Sequence, residues 1–304
     1  MQRQSSNDRG IKALPIGVFD SGIGGLTVAR EIARQLPHES LLYFGDTLRC
    51  PYGPRPLAQI RGFAHQIAHW LDVQGVKLIV IACNSATAAG LESIQQELDV
   101  PVIGVVEPGA RAAAQSTLLR RVGVIGTEAT IESGIYEREI HRFDAGIITF
   151  SKATPRFVDM VEQGLLLDNG FLDDSEVMAP SIDVPFSQMD IAYDYLNPLR
   201  MNGVDTLVLG CTHYPLLRPL ISQVMGADIR IISSAEETAR DVAEILGRKD
   251  QLAGEGDVVT HRLVTTAHDT QRFLVLANRI LSQPVTNLTR VTLGDLEGSS
   301  STLG

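Results

Sequence analysis

Short apolar runs rich in Val and Ile recur along the chain, with room for a helix between most of them. They fall at 15–19, 41–44, 77–82, 102–106, 121–125, 146–150, 205–210 and 228–232. Helix-like stretches lie between several of these runs, at 26–35, 57–74, 86–97 and 235–246. Strands that alternate with helices predict βαβ units and an α/β fold with mostly parallel sheets. The helix starts carry suitable residues, with Ser21-Gly22 before the first and Ser234 before Ala235-Glu236-Glu237. A faint internal echo adds to this pattern. Ile16-Gly17-Val18-Phe19-Asp20-Ser21-Gly22 resembles Val122-Gly123-Val124-Ile125-Gly126-Thr127-Glu128. Each copy is followed, some elements later, by a strand that ends in cysteine. Two similar α/β halves facing each other would set those cysteines on either side of one cleft, although any two short α/β strands share some likeness.

At 304 residues, the chain has length enough for two domains of ordinary size or one large one. The stretch 165–197 reads as an acidic, apolar and irregular insertion in the second half. The Gly/Ser-rich tail at 297–304 and the polar leader at 1–13 read as flexible ends. The leader lacks the apolar core of a secretory signal, and no apolar run is long enough to span a bilayer. The expected compartment is the cytoplasm, with no membrane association. The net charge of −10 argues against broad nucleic-acid binding, which needs a basic surface to displace counterions. Three cysteines without close spacing make a poor disulfide framework and a poor zinc site. Reduced thiols are expected.

The chemistry centres on Cys83 and Cys211. The first closes Leu78-Ile79-Val80-Ile81-Ala82-Cys83-Asn84-Ser85, and the second sits in Leu207-Val208-Leu209-Gly210-Cys211-Thr212-His213-Tyr214-Pro215. A lone cysteine after an apolar run is usually a small buried hydrophobe. These two both fall at the carboxyl end of a predicted parallel strand, where open α/β sheets bind ligands. Each is followed by hydrogen-bonding side chains, and a helix start would favour the thiolate. Paired thiols suggest a two-base enzyme, in which one takes a proton from a carbon and the other returns one on the opposite face.

Three further segments point the same way. Val18-Phe19-Asp20-Ser21-Gly22-Ile23-Gly24-Gly25 is a tight Gly-rich turn after a strand. Taken alone, such a turn could equally hold a nucleotide. It lacks the ending of a Walker loop and the G-x-G-x-x-G spacing, and Asp20 suits an ammonium group better than a phosphate. The loop Gly45-Asp46-Thr47-Leu48-Arg49-Cys50-Pro51-Tyr52-Gly53 is either a plain turn or a rigid loop closing on a ligand. His213 stands two residues after Cys211 and could hold or shuttle its proton. Glu162 is a weaker candidate, since most such glutamates are solvated.

Together these motifs resemble the glutamate racemases, cofactor-independent members of the aspartate/glutamate racemase superfamily. The likeness rests on Phe19-Asp20-Ser21-Gly22-Ile23-Gly24-Gly25-Leu26-Thr27-Val28 and on Gly45-Asp46-Thr47 with Pro51-Tyr52-Gly53. It rests also on Ala82-Cys83-Asn84-Ser85-Ala86 and on Leu209-Gly210-Cys211-Thr212-His213-Tyr214-Pro215-Leu216. It runs from about residue 16 to about residue 280. The resemblance implies two pseudo-symmetric α/β domains with the active site in the cleft between them. The first would comprise 14–105 with 237–292, and the second 106–236. It implies Cys83 and Cys211 as the acid/base thiols, with Asp20 assisting Cys83 and with His213 and Glu162 assisting Cys211. It implies that Asp20, Ser21, Tyr52, Gly53, Asn84, Ser85, Thr212 and His213 bind glutamate. No cofactor and no metal are implied, a homodimer is, and the product would be D-glutamate for the bacterial cell wall. Ser85, Cys50 and Thr154 depart from the residues usual at their positions in the family; Ser85 keeps a hydroxyl, and the other two lie outside the implied chemistry. An aspartate racemase, a two-lobed amino-acid binding protein and a cysteine hydrolase are the rival readings.

Overall fold

The fold was analysed in a computed structural model, which describes residues 10–165, 186–282 and 284–300. The first half opens β1(Ile16–Asp20), α1(Leu26–Gln35), β2(Leu41–Gly45), α2(Leu57–Val73), β3(Leu78–Ile81), α3(Asn84–Glu97) and β4(Val102–Gly104). After α4(Val106–Ser116) the pattern repeats. It runs β5(Arg121–Gly126), α5(Glu128–Glu132), α6(Ile135–Phe143), β6(Ile148–Ala153), α7(Arg156–Glu162), α8(Phe186–Met201), β7(Thr206–Gly210), α9(Arg218–Met225) and β8(Arg230–Ser233). Then come α10(Ser234–Arg248), β9(His261–Thr265), α11(Thr270–Leu281), β10(Leu288–Arg290) and α12(Leu293–Ser300).

These strands form two sheets, ordered β10-β9-β2-β1-β3-β4 and β6-β5-β7-β8. Every pairing in both is parallel. The run β2-β1-β3-β4 has the same order as β6-β5-β7-β8, so the echo seen between the β1 and β5 segments is an echo of topology. In each sheet the chain leaves the central strand to one side and then returns to its other side. That reversal opens a crevice beyond the carboxyl ends of β1 and β3, and another beyond β5 and β7.

Alternation along the strands divides the core. Ile16, Val18, Leu41, Tyr43, Leu78 and Val80 face one apolar layer, whereas Phe19, Leu42, Phe44, Ile79 and Ile81 face another. Both faces of the first sheet are therefore covered, as parallel sheets require. The first layer continues into the second half through Ile125, Leu207 and Leu209. Helix α10 packs on α1 of the first half and on α4 of the second. The two sheets are thus held against each other by shared apolar packing.

Two sequence expectations need correction. The stretch 165–197 is not irregular throughout, because α8 begins at Phe186 and runs to Met201. The part at 166–185 lies outside the described residues. Helix α8 buries Ala192, Leu196 and Leu199, and this one-sided burial supplies the packing that propensity alone does not. The tail is likewise ordered further than its composition suggests, since α12 extends from Leu293 to Ser300 and buries Leu296. Residues 10–13 begin with a helical turn, and Lys12 pairs with Asp250 at 2.9 Å. No helix among the described residues is long and apolar enough to cross a membrane.

Candidate active site

Both crevices open onto one small cavity of about 20 Å³. Its walls are Ser21, Pro51, Tyr52, Gly53, Cys83, Asn84, Ser85, Thr127, Val158, Cys211, Thr212 and His213. In this state the volume suits about one water molecule.

Cys83 comes from the carboxyl end of β3 and is the N-cap residue of α3. Its backbone is extended at the cap (φ −70°, ψ 121°), which turns the chain into the helix and leaves the sulfur at the helix N-terminus. Burial pushes the Cys83 thiol well above its ordinary range, and the nearby Asp20 charge adds to this. The Ala86 N–H and the Ser21 hydroxyl hydrogen-bond to the sulfur and work in the opposite direction.

Cys211 follows β7, at the matching place in the second sheet, and is equally buried. His213 Nδ1 lies 3.6 Å from its sulfur, and His213 Nε2 lies 2.8 Å from Glu162 Oε1. Burial works against a charged imidazole there, but the sulfur and the Glu162 carboxylate outweigh it and hold His213 well above its ordinary value. For Glu162 itself burial acts to raise the pKa. Hydrogen bonding and charge from His213, with help from Cys50 and the Ile23 N–H, prevail and lower it. Arg272, on α11, donates to the Glu162 carbonyl oxygen at 2.7 Å and ties the end of α7 to the first half.

Asp20 ends β1 and is fully buried. Its carboxylate accepts from the Gly25 N–H at 2.8 Å and the Gly22 N–H at 3.3 Å. Thr212 Oγ1 lies 3.4 Å and 3.5 Å from its two oxygens. The Gly-rich turn is therefore wound around Asp20. A Cβ on Gly24 would stand 2.5 Å from Thr212 Oγ1 and 2.6 Å from His213 Nδ1, so glycine lets this turn touch the opposite half. Thr27 spans the same gap, with its hydroxyl 3.2 Å from the Thr212 carbonyl oxygen.

Asn84 accepts from the Tyr136 hydroxyl through Oδ1 at 2.7 Å. Its Nδ2 is buried and has no partner among the described residues. A buried donor left open on the wall of a polar pocket is a ready contact for a carboxylate. Ser85 Oγ lies 2.8 Å from Thr127 Oγ1 and 3.2 Å from Thr130 Oγ1, which links the two halves across the cavity.

Every sequence-predicted site residue except Asp20 and Glu162 lines the cavity directly. Those two lie one step back, against Thr212 and His213 respectively. Tyr52 lines the cavity too, but its hydroxyl donates to Asp46, which also accepts from Arg49 at 2.5 Å and Thr266 at 3.0 Å. The ring therefore shapes the wall while its polar end anchors the 46–53 loop. Gly53 packs on Thr127. Sequence reasoning missed Thr127, Val158, Tyr136 and the anchoring role of Asp46. Thr127 was within reach, because it stands in the β5 copy where Ser21 stands in the β1 copy. Val158 is an ordinary apolar helix residue and gave no signal.

Comparison with known proteins agrees with this geometry. The Asp/Glu/hydantoin racemase family matches residues 16–242. A glutamate racemase of Exiguobacterium sibiricum is 44% identical over 282 residues, covering 93% of this chain and 97% of the relative. Among solved structures, a glutamate racemase from Bacillus anthracis superposes with a TM-score of 0.82 at 41% identity, covering 93% of this chain and 98% of the other. A glutamate racemase from Francisella tularensis, solved in complex with D-glutamate, has the same TM-score at 31% identity and covers 93% of this chain and 99% of its own. With two thiols on matching strand ends and likeness along nearly its whole length, the chain belongs to the Asp/Glu/hydantoin racemase family, in its glutamate racemase branch.

Proposed function

We propose that this enzyme interconverts L- and D-glutamate without a cofactor, by proton transfer at Cα between Cys83 and Cys211. The observation that carries the proposal is the placement of the two sulfurs on one cavity, each from the corresponding strand end of its own half. From L-glutamate, the Cys211 thiolate takes the Cα proton and the Cys83 thiol gives one to the opposite face. The products are D-glutamate, a Cys211 thiol and a Cys83 thiolate. From D-glutamate the roles exchange. For another L-glutamate, the Cys211 proton leaves to solvent through His213, backed by Glu162, and a proton from solvent restores the Cys83 thiol.

A thiol with an ordinary pKa of ~8.5 is far too weak a base for an α-proton, and each unit of the gap is worth ~1.4 kcal/mol. The deficit must be met by fixed dipoles around the carbanion-like transition state and by exclusion of water. Asn84 Nδ2, the Ser21, Ser85 and Thr212 hydroxyls and the start of α3 are the groups suited to this. The placement of both sulfurs on one cavity supports the same reading, because holding Cα between them removes the entropy cost of bringing the reacting groups together.

The product would supply D-glutamate to peptidoglycan synthesis, in the cytoplasm, from a homodimer. The test is incubation of the purified enzyme with L-glutamate in heavy water, without cofactor, following the Cα proton by NMR and chirality by polarimetry. Loss of the proton together with D-glutamate formation is expected. An inert glutamate beside an exchanging aspartate would transfer the proposal to an aspartate racemase. Binding without exchange for any amino acid would favour a binding protein.

A further inference from the structure

The outer helical layer of the first half carries ligating side chains that the proton-transfer cavity does not use. His65 and His69 are one turn apart on α2 and share a face. Glu97 ends α3 beside them. His65 Nδ1 lies 2.8 Å, and His69 Nε2 3.1 Å, from the same carboxylate oxygen, Glu97 Oε2. The three ligand atoms all fall within 4.8 Å of one another.

The hydrogen bonding of His65 is the second observation. Its Nε2 lies 2.8 Å from Ser93 Oγ, and the Ser93 hydroxyl donates to the Gly90 carbonyl oxygen at 3.0 Å. Ser93 Oγ thus meets both the His65 ring and a backbone carbonyl, and it steadies the ring from the side away from Glu97. His65 is thereby held with Nδ1 toward Glu97 Oε2, 2.8 Å away. A metal ion placed there would engage His65, His69 and Glu97 together, because their ligand atoms lie within 4.8 Å of one another.

We propose that His65 Nδ1, His69 Nε2 and Glu97 Oε2 form a binding site for a divalent transition metal of the zinc class, with water completing the coordination. Two imidazoles and a carboxylate are a donor set suited to zinc. Bonds of ~2.0–2.2 Å ask only for small rotamer shifts from the present positions. Ser93, 2.8 Å from His65 Nε2, is the outer partner that would orient the ring, as metal-bound histidines commonly require. The ion would pin the end of α3 to α2, the same helix whose N-terminus holds Cys83.

The probe is Zn²⁺, titrated in competition with a chromophoric chelator. The protein is the full chain carrying Cys50→Ser, Cys83→Ser and Cys211→Ser, so that thiols contribute nothing. The expected result is one zinc per chain, with affinity falling at least ~10-fold on His69→Ala and ~10–100-fold on Ser93→Ala. Zinc should also raise the unfolding midpoint of the parent but not of His69→Ala. Absence of stoichiometric binding, or undiminished affinity in His69→Ala, would overturn the proposal. If the triple variant does not fold, Co²⁺ absorption of the native chain decides. Visible bands without a sulfur charge-transfer band, lost in His69→Ala, support the site; bands that survive in His69→Ala overturn it.

Discussion

Cys83 and Cys211 hold equivalent places in the fold but differ in what surrounds them. Cys83 has a helix start, a serine hydroxyl and a nearby carboxylate, whereas Cys211 has an imidazole backed by a second carboxylate. Cys83→Ala and Cys211→Ala should each lower racemisation by at least ~10²–10⁴-fold, the scale of a lost acid or base. Normal turnover in either variant would end the two-thiol proposal. Glu162→Gln should let the His213 pKa fall toward its ordinary value, read by NMR of the labelled ring. Enantiomers are equal in free energy, so kcat/KM must fall equally in both directions. Any asymmetry must appear in kcat, slower from the enantiomer whose proton Cys211 handles. An unchanged kcat both ways would remove Glu162 from the machinery. Asn84→Ala removes the open Nδ2 donor and should raise KM ~10–100-fold, the worth of one hydrogen bond to a charged group. Unaltered binding would show that Nδ2 does not meet substrate.

At the scale of elements, the Gly-rich turn between β1 and α1 decides how closely the halves meet. Gly24→Ala places a methyl group within 2.7 Å of both Thr212 and His213. Relief requires the turn or the Cys211 loop to move, at a cost of ~1–3 kcal/mol. The expected outcome is a folded protein by circular dichroism with turnover reduced at least tenfold, because the cavity no longer closes. Full activity would mean that the turn yields freely. Much of this level could be read in advance. The expected 26–35 helix has the bounds of α1, and the other expected helices and all eight expected strands lie within a few residues of the observed elements. Helix α8 was legible but missed: Met189, Ala192, Leu196 and Leu199 recur at helical spacing, masked by the acidic residues around them.

Across the whole molecule, Glu162 on α7 and His213 after β7 make a pair that depends on the second half being assembled. The pair's contribution to stability follows from the two shifts. Glu162, lowered in the fold, stabilises fully above its ordinary value near 4.5, and that contribution is lost as pH falls through its folded value. His213, raised in the fold, stabilises fully below its ordinary value near 6.5, and that contribution is lost as pH rises through its folded value. The stability difference between parent and Glu162→Gln should therefore be greatest between about 4.5 and 6.5 and shrink on either side, as measured by urea unfolding across pH. A difference independent of pH would mean that Glu162 acts through packing alone.

The amino-acid order carried everything that depends on neighbours along the chain. Apolar period, glycine turns and capping residues are local properties, and they specify βαβ units and put both thiols at strand ends. Pairing across the chain is another matter. The His261–Thr265 run is half polar and Leu288–Arg290 spans three residues, so neither stands out as a strand until β2 lends its free edge to the first and the first lends its own to the second. Glu162 and His213 lie 51 residues apart, and Asp46 and Thr266 220 apart. Such contacts arise where shared apolar burial presses two sheets together, because hydrophobic packing brings distant segments into register without marking either of them beforehand.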